Sequence, residues 1–457
     1  MSAALLSFDA ALKRLELGER LVRRNPIYYG SAARELAAVR QMDLSDRIQW
    51  TSGRLKRILR AARRTKYGKQ LGAPASIEDW PILRKERVRD DWRAFVAGPM
   101  WLSARASTGG TTGVPLQLVR SQESVVVEQV CLDHMIQLLG CDPVTARVAV
   151  LRGDNIKDPS DTSPPFWRHD LGGRKLVFSS NHLSCGTLLH FVEALTQFKP
   201  ELLWMYPTTL ESLCVLLSKA GLRLSVPRVL TSSEMLHEPV WRMAQAVLGC
   251  KLIDYYGQAE RVAFAYGSSP GRYSFLPGYA HVELVRRASR DDEMLYEVIG
   301  TSLWNGAMPL VRYATGDLVR VPRSYGRQEL IEVAYGLRPF DGIIGRTLDI
   351  LLAPDAKGVL TGINQIPRSV EHLLRLQIVQ DAPDHVILRA LVSADFSAAD
   401  ADHLMRNARQ KIPGSVRIDL EVVDKLERTP LGKTPFILHS PQVKELLRAT
   451  GYYVDES

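Results

Sequence analysis

The sequence is short of acid. Fifty aspartates and glutamates stand against 59 lysines and arginines, a formal net charge of +9. That balance suits anionic ligands or surfaces without specifying one. Paired cysteines are also missing. Cys131, Cys141, Cys185, Cys214 and Cys250 are scattered with no C-x-x-C pair, which argues against a disulfide framework or structural zinc site and fits a reducing compartment. No apolar run approaches the length of a membrane span. The short apolar run from Ala3 to Leu6 ends at Asp9, without the basic start and apolar core of a signal peptide. A cytoplasmic, soluble protein is expected. What is present is ample material for a core: 46% of the 457 residues are hydrophobic, and the length suggests about three folding units.

One stretch organises the rest. Ser107 to Gly113 holds three glycines and four hydroxyl residues, followed by Val114-Pro115. Glycine lets a backbone approach a ligand closely, successive N–H groups form an anion-binding concavity, and hydroxyls add neutral donors. A triphosphate needs this combination. Leu116 to Val119 alternates like a strand, so the predicted form is a glycine-rich hairpin loop. It is not a Walker P-loop, because no Gly-Lys-Ser/Thr follows. Taken alone, such a stretch is more often a surface loop.

Residues 1 to about 100 read as helical. Arg54 to Lys69 carries eight basic residues and no acid, and Leu55, Ile58, Leu59 and Ala62 make one apolar face. Membrane-surface or polyanion contact is one meaning. The commoner one is a helix packed on the main domain with a solvated basic face. From Ser107 to about Gly257, strands such as Arg147–Leu151, Leu202–Tyr206, Val229–Thr231 and Leu252–Tyr256 alternate with helices. That pattern predicts a parallel sheet with crossover helices, whose ligands sit at the carboxyl ends of strands. Ser232-Ser233-Glu234 and Tyr256-Gly257-Gln258-Ala259-Glu260 occupy two such ends. From about Val282 to Pro339 short strands are expected, with Asp317 following a tight glycine turn. A carboxylate there could accept hydrogen bonds from a vicinal diol or simply close the turn. Beyond Gly345-Arg346-Thr347-Leu348-Asp349 lies a compact α+β unit of about a hundred residues. It ends near Arg428-Thr429-Pro430-Leu431-Gly432-Lys433.

In this order and spacing, these segments resemble the adenylate-forming superfamily of acyl-CoA synthetases, adenylation domains and luciferases, from about residue 80 to the end. Trp80-Pro81-Ile82-Leu83-Arg84-Lys85 is similar to the phenylacetate–CoA ligase branch, in the subgroup often associated with capsular polysaccharide loci. The resemblance implies an α/β fold: a large domain of parallel-rich α/β sheets plus a small distorted β-barrel, then a small mobile α+β lid. Residues 1–100 would form a helical extension packed on the large domain, 101–348 would complete that domain, and 349–457 would be the lid.

The implied reaction joins a carboxylate to the α-phosphate of ATP, releases pyrophosphate, and passes the acyl group to a thiol, usually coenzyme A. Thr108, Gly109, Gly110, Thr111, Thr112 and Gly113 would hold the β- and γ-phosphates. Glu260 would bind Mg²⁺ and Tyr256 would stack on adenine. The backbone at Ser233 and Glu234 would meet the adenine edge, with Gly257 and Gln258 adjoining. Asp317 would grip the ribose, with Arg346 nearby. Lys433 would place its ammonium between the substrate carboxylate and the α-phosphate, where charge develops. Asp349 would be the hinge. Trp204, Tyr206, Phe264 and Tyr266 could line an aromatic acyl pocket or be ordinary core. The family leans toward an aryl acid.

The chain departs from the family pattern in three places. Val114 and Leu116 stand where many members carry a lysine, Ala259 replaces the usual hydroxyl residue, and no cysteine follows Cys250, so no zinc is expected. The expected partners are a small-molecule carboxylate and coenzyme A, with no nucleic acid; dimers are common in the branch. An amine or carrier-protein thiol as acceptor, or a non-catalytic nucleotide-binding homologue in polysaccharide assembly, are the alternatives.

Overall fold

The computed structural model describes residues 19–98, 100, 103–107, 116–152, 156, 161, 163–290, 293–346, 351–352, 359–360, 363, 366–367, 370–409, 411–427 and 435–449. The first 18 residues of the stretch expected to be helical lie outside them; Glu19–Arg23 forms a single π-turn. Helices α1 (Tyr29–Gln41) and α2 (Leu44–Ala62) follow. Asp43 starts α2 by accepting from the Asp46 N–H at 2.9 Å, an N-cap that satisfies an otherwise orphaned donor. The apolar face read from the sequence is buried: Leu55, Ile58, Leu59 and Ala62 all lie in the core.

The basic stretch is not one helix. After a turn at Arg63–Thr65 the chain restarts as α3 (Lys66–Gln70), because the Thr65 hydroxyl caps the Gly68 N–H at 2.9 Å. A Cβ on Gly68 would meet the Ala62 carbonyl oxygen at 2.2 Å, so only glycine fits. Nor is the whole basic face solvated. Arg54 is buried, with its guanidinium 3.4 Å from the Trp304 ring centre and ion pairs to Glu35 and Glu123. Helix α4 (Lys85–Asp90) leads to the hairpin β1 (Ala104–Ser107) and β2 (Gln117–Arg120), in which Ser107 faces Gln117. Helix α5 (Gln122–Leu138), capped by Ser121, is apolar on most sides.

The large sheet comprises β3 (Val148–Leu151), β4 (Trp167–Asp170), β5 (Lys175–Phe178), β6 (Leu202–Met205), β7 (Arg228–Ser232), β8 (Lys251–Gly257), β9 (Phe264–Ser269) and β10 (Arg272–Phe275). Its order is β10-β9-β8-β7-β6-β3-β5-β4. The five central strands β5, β3, β6, β7 and β8 are parallel, flanked by antiparallel edges. Crossovers run through α6 (Leu188–Phe198), α7 (Pro207–Ala220) and α8 (Glu238–Leu248). Pro207 opens α7 and Gly221, at φ +64°, closes it, the asymmetry expected of proline and glycine at helix ends. These three helices cover one face, on Leu203, Met205 and Val229. Helices α1 and α5 cover the other, on Leu202, Leu230 and Ile253. Strand β3 has β5 on one side and β6 on the other. The winding direction therefore reverses there, and the crevice between the ends of β3 and β6 is where such sheets bind ligands.

A second, antiparallel sheet holds β11 (Ala280–Arg290), β12 (Glu293–Ser302), β13 (Tyr313–Pro322) and β14 (Ile343–Arg346) in sequential order. These strands are longer than their composition suggests, and helix α9 (Arg327–Ala334) interrupts the run. Toward the C-terminus come the short pair β15 (Leu351–Leu352) and β16 (Val359–Leu360), then β17 (Leu373–Ala382), β18 (His385–Val392), α10 (Ala398–Arg409), β19 (Arg417–Val422), β20 (Ile437–His439) and α11 (Pro441–Ala449). Their core, with Leu351, Ile378, Leu388, Leu404 and Ile437, is separate from the others. No helix among the described residues is long and apolar enough to cross a membrane.

Candidate nucleotide site

Two strands from different sheets build the site. Strand β13 carries an irregularity: Ile299 pairs with Ala314 and Glu297 with Leu318, so Thr315, Gly316 and Asp317 stand opposite Val298. The sequence reading of a tight turn before Asp317 is thus corrected to a bulge inside a strand. Gly316 supplies the required φ of +74°, a backbone shape that glycine takes without strain. Thr315 fixes the bulge, donating to the Val298 carbonyl at 2.8 Å and accepting from the Asp317 N–H at 3.0 Å. Bulges re-aim side chains, and here Asp317 reaches the end of β8.

Asp317 Oδ2 accepts from the Tyr256 hydroxyl at 2.6 Å, and that hydroxyl accepts from Gln258 Nε2 at 2.7 Å. Burial, followed by the Asp317 charge, pushes the Tyr256 phenol well above its ordinary pKa, so it serves as a neutral donor. Four residues earlier on the same strand, the Tyr313 hydroxyl donates to Glu260 Oε1 at 2.8 Å. Glu260 and Asp317 are each 8% exposed. In register, Arg346 on β14 lies opposite Asp317. Ser232 on β7 lies opposite Tyr255 on β8, which brings Ser233 beside Tyr256.

Other predicted residues divide. Glu234 turns its carboxylate to the start of α7, accepting from the Thr208 N–H at 3.0 Å and its hydroxyl at 2.6 Å. Gly257 ends β8. Thr108, Gly109, Gly110, Thr111, Thr112, Gly113, Asp349 and Lys433 lie outside the described residues, and of Arg346 the strand position alone is described. The flanks of the glycine-rich loop do form the antiparallel hairpin read from the sequence. Phe264 is ordinary core, stacked on Tyr255 at 5.3 Å. Trp204 and Tyr206 stand at the end of β6, and Tyr266 packs against the cluster beneath α5.

Two arginines escaped the sequence reading. Arg120, at the end of β2, donates to the Ala259 carbonyl at 2.6 Å and so ties the hairpin to the Tyr256–Glu260 segment. Burial, then the neighbouring Arg261 charge, lowers its pKa to about 10. Arg152, just past β3, donates to the Ser233 hydroxyl at 3.1 Å. Its guanidinium lies 4.7 Å from the Trp204 ring centre and 5.5 Å from that of Tyr206. Polarity at the two strand ends was the available signal.

The chain is similar to several known proteins. Residues 351–440 match the family model described as the CapK C-terminal domain. Protein CapK of Staphylococcus aureus is 22% identical over 383 residues, spanning 80% of this chain and 81% of that protein. Phenylacetate-coenzyme A ligase of Thermus thermophilus is 24% identical over 298 residues, 58% of this chain and 64% of that protein. The crystal structure of 2-hydroxyisobutyryl-CoA ligase, in the postadenylation state with an acyl-AMP, superposes with a TM-score of 0.60. It is 15% identical and covers 88% of this chain and 91% of that one. The chain has the adenylate-forming fold. The resemblance read from its motifs stands, with CapK and a phenylacetate–CoA ligase as sequence relatives.

Proposed function

We propose that this adenylate-forming chain activates a carboxylic acid with ATP, releasing pyrophosphate, and passes the acyl group from the acyl-adenylate to a thiol, coenzyme A. The observation that carries the reading is the junction of Tyr256, Gln258 and Asp317, with Glu260 alongside, at the carboxyl ends of β7 and β8. Tyr256 would flank the adenine and the backbone at Ser233 and Glu234 its edge. Asp317 would accept from the ribose hydroxyls, with Arg346 beside it. Thr108 to Gly113 would cradle the outer phosphates.

Glu260 fits Mg²⁺. One carboxylate oxygen takes the Tyr313 hydroxyl and the other is left for a hard cation, which characteristically uses one or two carboxylates plus substrate phosphates. When bound, Mg²⁺ neutralises phosphate charge. Phosphoryl chemistry of this kind depends on positioning and charge neutralisation more than on covalent help, and Lys433 would supply a further positive charge at the reacting carboxylate. We place the large domain at residues 1–348 and the lid at 349–457, turning about Asp349 between the two half-reactions. The name of the phenylacetate-coenzyme A ligase supports the acid–thiol ligase reading. The same name supports an aryl acid.

ATP–pyrophosphate exchange over a panel of carboxylates tests the reading, with calorimetry against AMP beside it. Exchange with at least one acid and saturable AMP binding are expected. Neither exchange nor heat with AMP or a non-hydrolysable acyl-AMP mimic would overturn it.

A further inference from the structure

The crevice at the reversal point of the large sheet is furnished with a cation and with N–H donors, two of which no described residue satisfies. Arg152 leaves β3 there and Tyr206 leaves β6 there. Arg152 is held on three sides, by the faces of Trp204 and Tyr206 and by the Ser233 hydroxyl. Its Nε is buried without a hydrogen-bond partner, and no carboxylate pairs with it among the described residues. The Trp204 indole N–H beside it is also buried without a partner. Buried donors are normally satisfied, and two such exceptions call for an acceptor that the described residues do not supply.

The same contact changes the meaning of the aromatic residues. Trp204 and Tyr206 each present a face to the Arg152 guanidinium, so those faces hold a cation in place rather than wait for an aromatic ring. An arginine fixed in this way is pre-organised for planar, oxygen-rich anions.

Resting on the adenylation reading, we propose that the acid activated here carries a second anionic group, such as a second carboxylate, which Arg152 receives with the Trp204 N–H. Arg152 is then a specificity-determining residue and the substrate class is a dicarboxylic or comparably charged acid. The competing source of negative charge is a nucleotide phosphate, and the test separates the two.

The test uses calorimetry of the full chain against sulfamoyl-adenosine mimics of acyl-AMP. Succinyl, glutaryl and adipyl mimics are compared with butyryl, valeryl, hexanoyl and phenylacetyl ones, and AMP alone serves as reference. At least one diacid mimic should bind about tenfold or more tighter than its monoacid counterpart, the scale of one charge-assisted hydrogen bond. Arg152→Met should erase that margin and Arg152→Lys should keep part of it, read as the ratio of diacid to monoacid affinity within each variant, so that any change in adenine binding through the Ser233 contact cancels. The proposal is overturned if every monoacid or phenylacetyl mimic matches the diacids, or if Arg152→Met weakens monoacid and diacid mimics by the same factor, as a contact to the nucleotide alone would. Absence of binding by AMP and by every mimic removes the adenylation reading itself, a different failure from AMP binding without a diacid preference.

Discussion

The Tyr256 hydroxyl and Asp317 Oδ2 stand 2.6 Å apart and join the end of one sheet to the bulge of another. Removing the hydroxyl leaves a nearly buried carboxylate one donor short and deprives Gln258 of its acceptor. Tyr256→Phe should therefore cost about 1–3 kcal/mol of stability and weaken AMP binding by about tenfold, since each 1.4 kcal/mol is a factor of ten. Thermal denaturation and calorimetry measure both. Unchanged values in the two experiments would remove the pair from the site.

Lys433 is expected to serve the first half-reaction and Asp349 the second. Lys433→Ala should cut pyrophosphate exchange by several orders of magnitude while a supplied acyl-adenylate still reacts with coenzyme A. Asp349→Pro should do the reverse, because proline fixes φ where a hinge must change it. Equal loss of both half-reactions in either variant would contradict the assignment.

Arg54 and Arg60 sit on the same helix with opposite expectations. Arg54 packs its guanidinium against Trp304 and bonds Glu35 and Glu123, so Arg54→Ala should destabilise by about 2–3 kcal/mol through lost packing and charged hydrogen bonds. Arg60 is exposed, and Arg60→Ala should stay within about 0.5 kcal/mol. Chemical denaturation of the two variants reads the difference directly.

Asp254 gives the large sheet a pH dependence. It lies between the Thr231 and Tyr273 hydroxyls, each 2.6 Å away, and burial raises its pKa to about 6 from 3.8. The folded state then holds the proton more tightly than the unfolded chain. Its contribution to stability is full below the unfolded value, is lost as pH rises between about 4 and 6, and is flat above. The loss is of order 3 kcal/mol. Asp254→Asn should flatten that window: the stability of the variant minus that of the parent, followed by urea denaturation, should rise with pH between those limits. A constant difference would show that Asp254 titrates normally.

The parallel strands were legible because they are short apolar runs set between helices of ordinary length, and the glycine-rich hairpin because its flanks alternate. The bulge at Asp317 was not. Thr-Gly-Asp reads as a turn unless the partner strand is known, and the register with β12 decides it. Strand β17 was hidden by Gln377 and Gln380, polar residues that are fully buried and bonded to the backbone at Glu427, Pro435 and Leu352. Among site residues, Tyr256, Glu260 and Asp317 carried motif signals. Arg120 and Arg152 lie outside those motifs and owe their places to neighbours far away in the chain.

The cross-links from β13 to the end of β8 and the turn after it span four residues on each side, Tyr313 to Asp317 and Tyr256 to Glu260. They fasten two separate ladders at two rungs, which resists rotation as well as separation. A sideways slip of one layer would pull both acids off their tyrosines at once. Precision here belongs to the seam.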